Sequence, residues 1–317
     1  MPLHPLKLKV HKLLHWEYWP VYVVYAPTFF LWIWYLIRFR RFHFYRFANP
    51  AIANGGLYGV SKKAIYDVLP KALYPTTVLI QKTERADLEG ILQQHHLDFP
   101  VIAKPDAGYR GIMVQKITSA TALRRYADAL QQDFLVQEIV HYPHEMGLFY
   151  VRMPHESRGT ITGITLKNFL TITGDGQQTM AQLLAQNPRY ALQMDVLARQ
   201  YDLQKVPAAQ ESICLVPFGN HNRGTEFLDG AHLITPKLQE TFDQILSRIN
   251  GFYYGRLDIR YRSFEELENG QHFSIIELNG AMSEPTHIYD PKHSFFYGQK
   301  EIFKHQFYFG KIIRQQL

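Results

Sequence analysis

One cysteine, Cys214, in 317 residues is too few for an internal disulfide framework or for a cysteine-clustered zinc or iron–sulfur site, and it fits a reducing compartment. The cytosol is the expected location. A serine nucleophile elbow is also missing, and Cys214 lies in an ordinary apolar run, SICLVPF, so no side chain is expected to carry covalent chemistry. There are no internal repeats or low-complexity tracts, and beyond the first fifty positions there is no long basic run. The net charge of +6 is therefore local. Lys7, Lys9, Lys12, Arg38, Arg40, Arg41 and Arg46 flank an N-terminal segment while the rest of the chain is near neutral, which argues against a nucleic-acid partner.

Aromatic residues are what the chain has in excess, at 14%, and they crowd the first fifty positions. Residues 18–37, YWPVYVVYAPTFFLWIWYLI, pass without a charge. That is close to the roughly twenty residues a helix needs to cross a bilayer core, and the run is apolar on every face. Pro20 and Pro27 each remove a backbone donor, so a kinked, re-entrant or interface-lying segment competes with a clean crossing. The next ten residues, RFRRFHFYRF, mix guanidinium groups with rings, as proteins do at anionic headgroups. Basic residues on both sides give little orientation but are compatible with a cytoplasmic C-terminal part. No small-residue cleavage site follows, which argues against a secretory signal. Two readings stay open: attachment to the inner face of the cell membrane through residues 18–47, or an aromatic core or dimer contact built on Trp16, Trp19, Trp32 and Trp34.

The length permits two or three lobes that share a cleft. After Asn49-Pro50 the texture changes to short strands alternating with amphipathic helices, the pattern of an α+β or α/β enzyme. Strands are expected at residues 78–81, 101–104, 134–139, 147–153, 160–173, 253–261 and 272–278. Helices are expected at 120–131, near 179–185 and 189–201, and at 235–250.

Three stretches carry candidate chemistry. The strand FPVIAKP delivers Lys104 at its end, and the segment from Asp106 through Gly108 and Arg110 to Gly111 can let backbone donors approach a phosphate. A plain hairpin has the same look. The strand through Glu138, Ile139 and Val140 runs into a bend, with Glu145 seven positions on. Backbone groups there can read an adenine edge and Glu145 can accept ribose hydroxyls; an ordinary surface glutamate pair is the alternative. Near the C-terminus, Arg256-Leu257-Asp258 is followed by Glu277-Leu278-Asn279. Side chains repeat every two residues along a strand, so each set shares a face. Asp258, Glu277 and Asn279 offer a hard, all-oxygen set of the kind magnesium takes beside nucleotide phosphates, and Arg256 can offset phosphoryl charge.

In order and spacing these residues resemble the ATP-grasp superfamily, specifically its D-alanine–D-alanine ligase branch, over residues 62–291. The resemblance implies an α+β ATP-grasp fold in which two α/β lobes enclose ATP, with 101–317 as the ATP-grasp domain and 49–100 as a linker and reduced N-terminal lobe; residues 1–48, by their composition, are expected to be a membrane-associated segment. It implies that Lys104 and either Lys62 or Lys63 bind nucleotide, that the segment from Gly108 to Gly111 closes over the phosphates, that Glu138, Ile139 and Val140 form the adenine hinge, and that Glu145 binds ribose. Asp258, Glu277 and Asn279 match the family's magnesium ligands and Arg256 its phosphate arginine. The turn Thr173-Gly174-Asp175-Gly176 with Thr179 looks like the GDG turn of related amino-acid ligases.

The chain departs from the branch after Asn279, where a serine- and glycine-rich substrate loop is replaced by GAMSEPTHIYDP, and at the N-terminus, where the usual substrate lobe is missing. D-alanine is therefore not the expected substrate. Arg223 and Arg152 are candidate anchors for a substrate carboxylate or its acyl-phosphate. The expected activity is ATP- and Mg²⁺-dependent ligation of a carboxylate to an amine, with a lipid-linked substrate and an oligomer both allowed. The alternatives are an ATP-grasp kinase and a membrane-attached scaffold with a vestigial ATP site.

Overall fold

The computed structural model describes residues 5–108 and 112–317. Among the described residues four α-helices precede the first strand: α1 (Pro5–Leu14), α2 (Val21–Val24), α3 (Ala26–Phe39) and α4 (Lys62–Asp67). The apolar run of residues 18–37 is thus not one helix. Pro20 is the N-cap of α2 and Pro27 lies in the first turn of α3, positions where a missing N–H costs nothing, so the prolines start helices rather than kink one. At 14 residues α3 rises about 21 Å, short of the roughly 30 Å of a bilayer core. Among the described residues no helix is long and apolar enough to cross a membrane, which removes the clean crossing from the open readings.

The first sheet contains β1 (Thr77–Ile80), β2 (Val101–Pro105), β3 (Gln115–Ile117) and β4 (Phe134–Glu138) in the order β1-β4-β2-β3, antiparallel throughout. Helices α5 (Leu88–Gln94) and α6 (Ala120–Ala129) cover it, placing Leu88, Leu92, Leu123 and Tyr126 against Val78, Ile80, Val101 and Val136. The division expected at residue 100 falls inside this sheet, because β1 pairs with β4 along its whole length.

The second sheet has the order β11-β10-β5-β6-β9, again antiparallel. Its members are β5 (His144–Val151), β6 (Thr160–Asn168), β9 (Glu226–Asp229), β10 (Tyr254–Tyr261) and β11 (Phe273–Asn279). A separate ribbon, β7 (Leu170–Thr173) with β8 (Ser212–Val216), carries α7 (Met180–Ala185), α8 (Pro188–Ala191) and α9 (Met194–Leu197) on its own small core. The single strand expected over 160–173 is therefore two strands in different sheets, parted at Phe169, and the single helix expected over 189–201 is α8 and α9.

One face of the large sheet is apolar: Met146, Leu148, Leu257 and Ile259 pack with Leu238, Phe242 and Leu246 of α10 (Pro236–Leu246) and with Leu267 of α11 (Phe264–Glu268). The other face is divided. Its Tyr254 end, with Phe149, is covered by α12 (Phe295–Gln316) and by Tyr35, Phe44 and Tyr45 of the N-terminal segment. Tyr35 donates to the Gln306 carbonyl at 2.7 Å and Trp32 to the Gln306 side-chain oxygen at 2.8 Å. A Cβ at Gly310 would overlap the Tyr35 hydroxyl, and one at Gly298 would lie 2.6 Å from the Trp16 ring. Both glycines let aromatic rings sit against the helix backbone. One face of the N-terminal segment is accordingly the aromatic core that composition allowed.

His305 of α12 is 1% exposed, with Nε2 2.9 Å from the Thr162 hydroxyl and Nδ1 2.8 Å from the Glu301 carbonyl. Burial pushes it down to about 4, against 6.5 when exposed. The unfolded chain therefore takes up this proton first as pH falls. Stability is complete above about 6.5 and is lost toward 4, by about 3 kcal/mol from this group alone. Urea titrations between pH 7 and 4.5 are expected to show that loss, and His305→Gln is expected to be less stable at pH 7 yet to have the shallower acid slope. Equal slopes would refute the assignment.

Candidate nucleotide and metal cleft

At the start of α4, Ser61 caps the helix by accepting from the Ala64 N–H at 3.0 Å, and the helix then meets the end of β2. The Lys62 N–H donates to the Asp106 carbonyl at 3.0 Å, and its Nζ donates to the carbonyls of Pro105 and Gly108, each at 3.0 Å. Lys63 points away and pairs with Asp67 on the surface at 2.5 Å. Of the two candidate lysines it is Lys62 that faces the cleft. Lys104, at the end of β2, donates to Tyr66 Oη at 2.8 Å and Gln137 Oε1 at 2.9 Å. Burial lowers Lys104 to about 8 while the Glu277 carboxylate acts against that fall. Burial also lowers Lys62, again opposed by Glu277.

On the large sheet the register makes Asp258 face Glu277 and Arg256 face Asn279 across β10 and β11. The expectation that each set shares a face is met, and pairing puts both sets on the same face. The two carboxylates are nonetheless in different states. Asp258 is 4% exposed and accepts from Arg256 Nε at 2.9 Å and Arg256 NH2 at 3.2 Å, with Lys167 Nζ 3.3 Å away. Burial alone would raise it, but Arg256 and Lys167 outweigh burial and hold it low. Glu277 is half-buried, and among the described residues no hydrogen bond or ion pair holds its carboxylate. The buried amide nitrogen of Asn279 is likewise without a partner.

Lys167 of β6 was not among the expected site residues. It lies two places beyond Thr165, on the same strand face, and its Nζ bridges Glu145 Oε1 at 2.8 Å and Asp258. A lysine interrupting the apolar alternation of β6 was the one available signal. Glu145 in turn accepts from Arg260 Nε at 2.9 Å. The charges thus run Arg260, Glu145, Lys167, Asp258, Arg256 across three strands, with the two carboxylates and the lysine buried and the terminal arginines partly exposed. Gly147, opposite Asp258, leaves the room: a Cβ there would sit 3.2 Å from Asp258 Oδ1 and 3.1 Å from Arg256 Cδ.

Lys62, Tyr66, Gly108, Glu277 and Asn279 line one cleft together with Tyr58, Gly280 and Met282. It holds about 100 Å³, room for a phosphate-sized group but less than the few hundred Å³ a drug-sized ligand fills. Other expected residues lie elsewhere. Glu138 is exposed, with Oε2 accepting from the Thr76 N–H at 3.3 Å, while Ile139 and Val140 are half-buried in the link between the two sheets; none of the three lines the cleft. Glu145 is not free to bind ribose, since Lys167 and Arg260 take both of its oxygens inside the protein. Arg223 stacks 5.8 Å over Phe218 in the loop before β9, outside the cleft. Arg152 lies 5.0 Å over Tyr253 and points NH2 at the Ile249 and Phe252 carbonyls, a structural fastening rather than a substrate anchor. Asp175 caps its own turn by accepting from the N–H groups of Gln177 and Gln178 at 2.9 and 2.7 Å. Arg110 and Gly111 lie outside the described residues.

This donor set fits a hard cation in part. Glu277 has an uncommitted carboxylate at the cleft and Asn279 lines it, though the unpartnered atom of Asn279 is its buried amide nitrogen, a donor and not a cation ligand, and Asp258 fits only by sharing oxygens already held by Arg256 and Lys167. Lys62 lines the cleft and Lys104 lies beside it, which places two ammonium groups there.

No protein-family model matches the chain, and no curated protein matches it. Solved structures with a similar course of chain include a bifunctional glutathione synthetase from Pasteurella multocida, at 16% identity and a TM-score of 0.41 over 78% of this chain and 35% of that one. The VanG D-Ala:D-Ser ligase from Enterococcus faecalis has 10% identity and a TM-score of 0.46 over 81% and 61% of the two chains. The D-alanine–D-alanine ligase from Bacillus anthracis has 11% identity and a TM-score of 0.41 over 81% and 66%. The chain spans between about a third and two thirds of the length of these structures.

Removing one member of a buried ion pair strands the other charge at about 3–5 kcal/mol. Lys167→Met leaves Asp258 paired with Arg256 and Glu145 with Arg260, so it is expected to cost less than that in urea unfolding, about 1–3 kcal/mol for the lost charged hydrogen bonds, and adding Glu145→Leu, which strands Arg260, is expected to raise the cost. A Lys167→Met variant as stable as the parent would show that the chain of charges does not hold the sheet face together.

Proposed function

We propose that the protein is an ATP- and Mg²⁺-dependent ligase of the ATP-grasp kind that joins a carboxylate to an amine through an acyl-phosphate. The observation that carries this reading is the pairing, in one cleft, of Lys62 and the neighbouring Lys104 with the unpaired Glu277 carboxylate and the orphaned Asn279 amide. Two ammonium groups attract phosphates. An uncommitted carboxylate is what a phosphate-bound cation needs, an unpartnered amide N–H suits a phosphate oxygen, and a half-buried carboxylate without a partner is otherwise a cost.

In this reading Lys62 and Lys104 orient the phosphate chain and Arg256 offsets charge that grows on the transferring phosphoryl group. Glu277 and Asn279, with Asp258 sharing, hold magnesium, which draws charge from the phosphate oxygens when bound. A substrate carboxylate oxygen attacks the γ-phosphorus and ADP leaves. The amine nitrogen then attacks the acyl carbon, the C–N bond forms, inorganic phosphate departs and the nitrogen gives up a proton. The chain's own groups position and neutralise; none forms a covalent bond.

Glu277→Gln is the decisive variant because Glu277 lies outside the buried ion pairs, so the change should leave unfolding untouched. Magnesium-dependent phosphate release from ATP, assayed with pools of amino acids, dipeptides and small carboxylates, is expected to be stimulated by one pool and to fall at least about 100-fold in the variant. Full turnover by the variant, or a parent protein that binds no nucleotide in the presence of magnesium, would overturn the proposal. Phosphate retained on the substrate would replace the ligase with a kinase.

A further inference from the structure

Helix α3 has two apolar faces and the fold uses one of them. Thr28 and Tyr35 are buried, and Leu31, Trp32, Leu36 and Phe39 are partly buried, along the stripe that meets α12. The opposite stripe stays in the open: Phe29 is 64% exposed, Phe30 70%, Ile33 40%, Trp34 52% and Ile37 69%. Spacings of three, four, seven and eight residues put these side chains on a single side. A helix that faces water carries polar residues there, and this one has none before Arg38. Val21, Tyr22 and Val23 of α2 and Phe42 just past α3 are exposed as well.

The surface charge carried by the N-terminal segment itself has one sign. Lys7, Lys9, Lys12, Arg38, Arg40, Arg41 and Arg46 are all exposed. The only acidic residue before Asp67 is Glu17, whose side chain is 5% exposed and accepts from Arg189 at 2.8 Å. It therefore offsets nothing on the surface. We propose that the open stripe of α3 docks in the interface of an anionic lipid bilayer, with its rings at the acyl boundary and the guanidinium groups of Arg38, Arg40 and Arg41 on headgroup phosphates. Charge selects this occupant over a second copy of the chain. Pairing the face with itself across a two-fold axis would bring like-charged clusters together, whereas an anionic surface complements them. The short α3 makes the attachment monotopic: it lies in the interface and does not cross.

The test uses the full chain and vesicles of phosphatidylcholine with and without phosphatidylglycerol. Flotation is expected with the phosphatidylglycerol vesicles, weakening as salt rises. Phe30→Ser combined with Trp34→Ser is expected to abolish it, and Arg38→Gln with Arg40→Gln to weaken partitioning at least about tenfold. All four side chains are exposed, so the unfolding midpoints of these variants should match the parent. Magnesium-dependent ATP turnover on soluble substrates should also be unchanged, so loss of docking is distinguishable from loss of the cleft. Failure to float with either vesicle, or unchanged flotation of the aromatic variant, would overturn the proposal. So would a dimer in light scattering that Phe30→Ser with Trp34→Ser dissolves, since the face would then belong to a second copy.

Discussion

Lys167 is the group on which the polar face of the large sheet depends. It sits on β6, two strands away from β10, and its ammonium is the only described cation that touches both Glu145 and Asp258. Burial works against its charge, but Asp258 and Glu145 outweigh burial and raise its pKa, so it remains charged. Three strands are thereby held in register by electrostatics as well as by their ladders. Low dielectric makes the arrangement strong when complete and costly when broken. The surrounding chain is shaped to permit it. Gly219 closes over the pair where any Cβ would collide with Glu145 and Lys167, and Arg260 reaches past it to donate to the Pro217 carbonyl.

The two facing carboxylates acquire different capacities from this arrangement. Asp258 is consumed by the charges that fix it, and Glu277, one strand further out on β11, is left over. The bulge beside Asp258 sets Ile276 out of the paired register, and the Ile276 carbonyl accepts from Tyr66. Tyr66 also accepts from Lys104, so one tyrosine of α4 ties the lysine of the small sheet to the strand that carries Glu277. The cleft is the space between those fastenings. Its chemistry is set by what the buried charges leave unpaired.

Much of this was legible in the sequence because it follows from alternation. A residue's strand face depends only on parity, so Arg256 with Asp258 and Glu277 with Asn279 could be grouped without knowing which strand lay beside which. Direct pairing of the two sets depends on register, which no local pattern contained. The ion pairs of Glu145 were hidden for a related reason: a glutamate at a bend reads as exposed, and only the burial of β5 between β10 and β6 brings Lys167 and Arg260 to its oxygens. Lys167 was passed over because a lone lysine in a strand looks like a solvated side chain until two carboxylates are found around it. The break between β6 and β7 at Phe169 left no composition signal either, since both strands are rich in threonine and isoleucine.

For the N-terminal segment the sequence posed a choice between core and membrane, and the structure packs one face of α3 into the core while leaving the other exposed. A helix apolar on all sides must hide every side, but nothing requires one partner to hide them all. On α3 the inner stripe is hidden by a tertiary device that hydropathy does not register: Gly298 and Gly310 remove side chains from α12 where Trp16 and Tyr35 press in. Those contacts settle the inner face through ring packing and two hydrogen bonds to Gln306, and they leave the outer face without a protein neighbour. The prolines complete the argument. By starting α2 and α3 afresh they shorten the apolar helix below bilayer thickness while keeping it long enough to carry two full stripes, so the residues that forbid a crossing are the same ones that leave a flat, aromatic surface edged with positive charge.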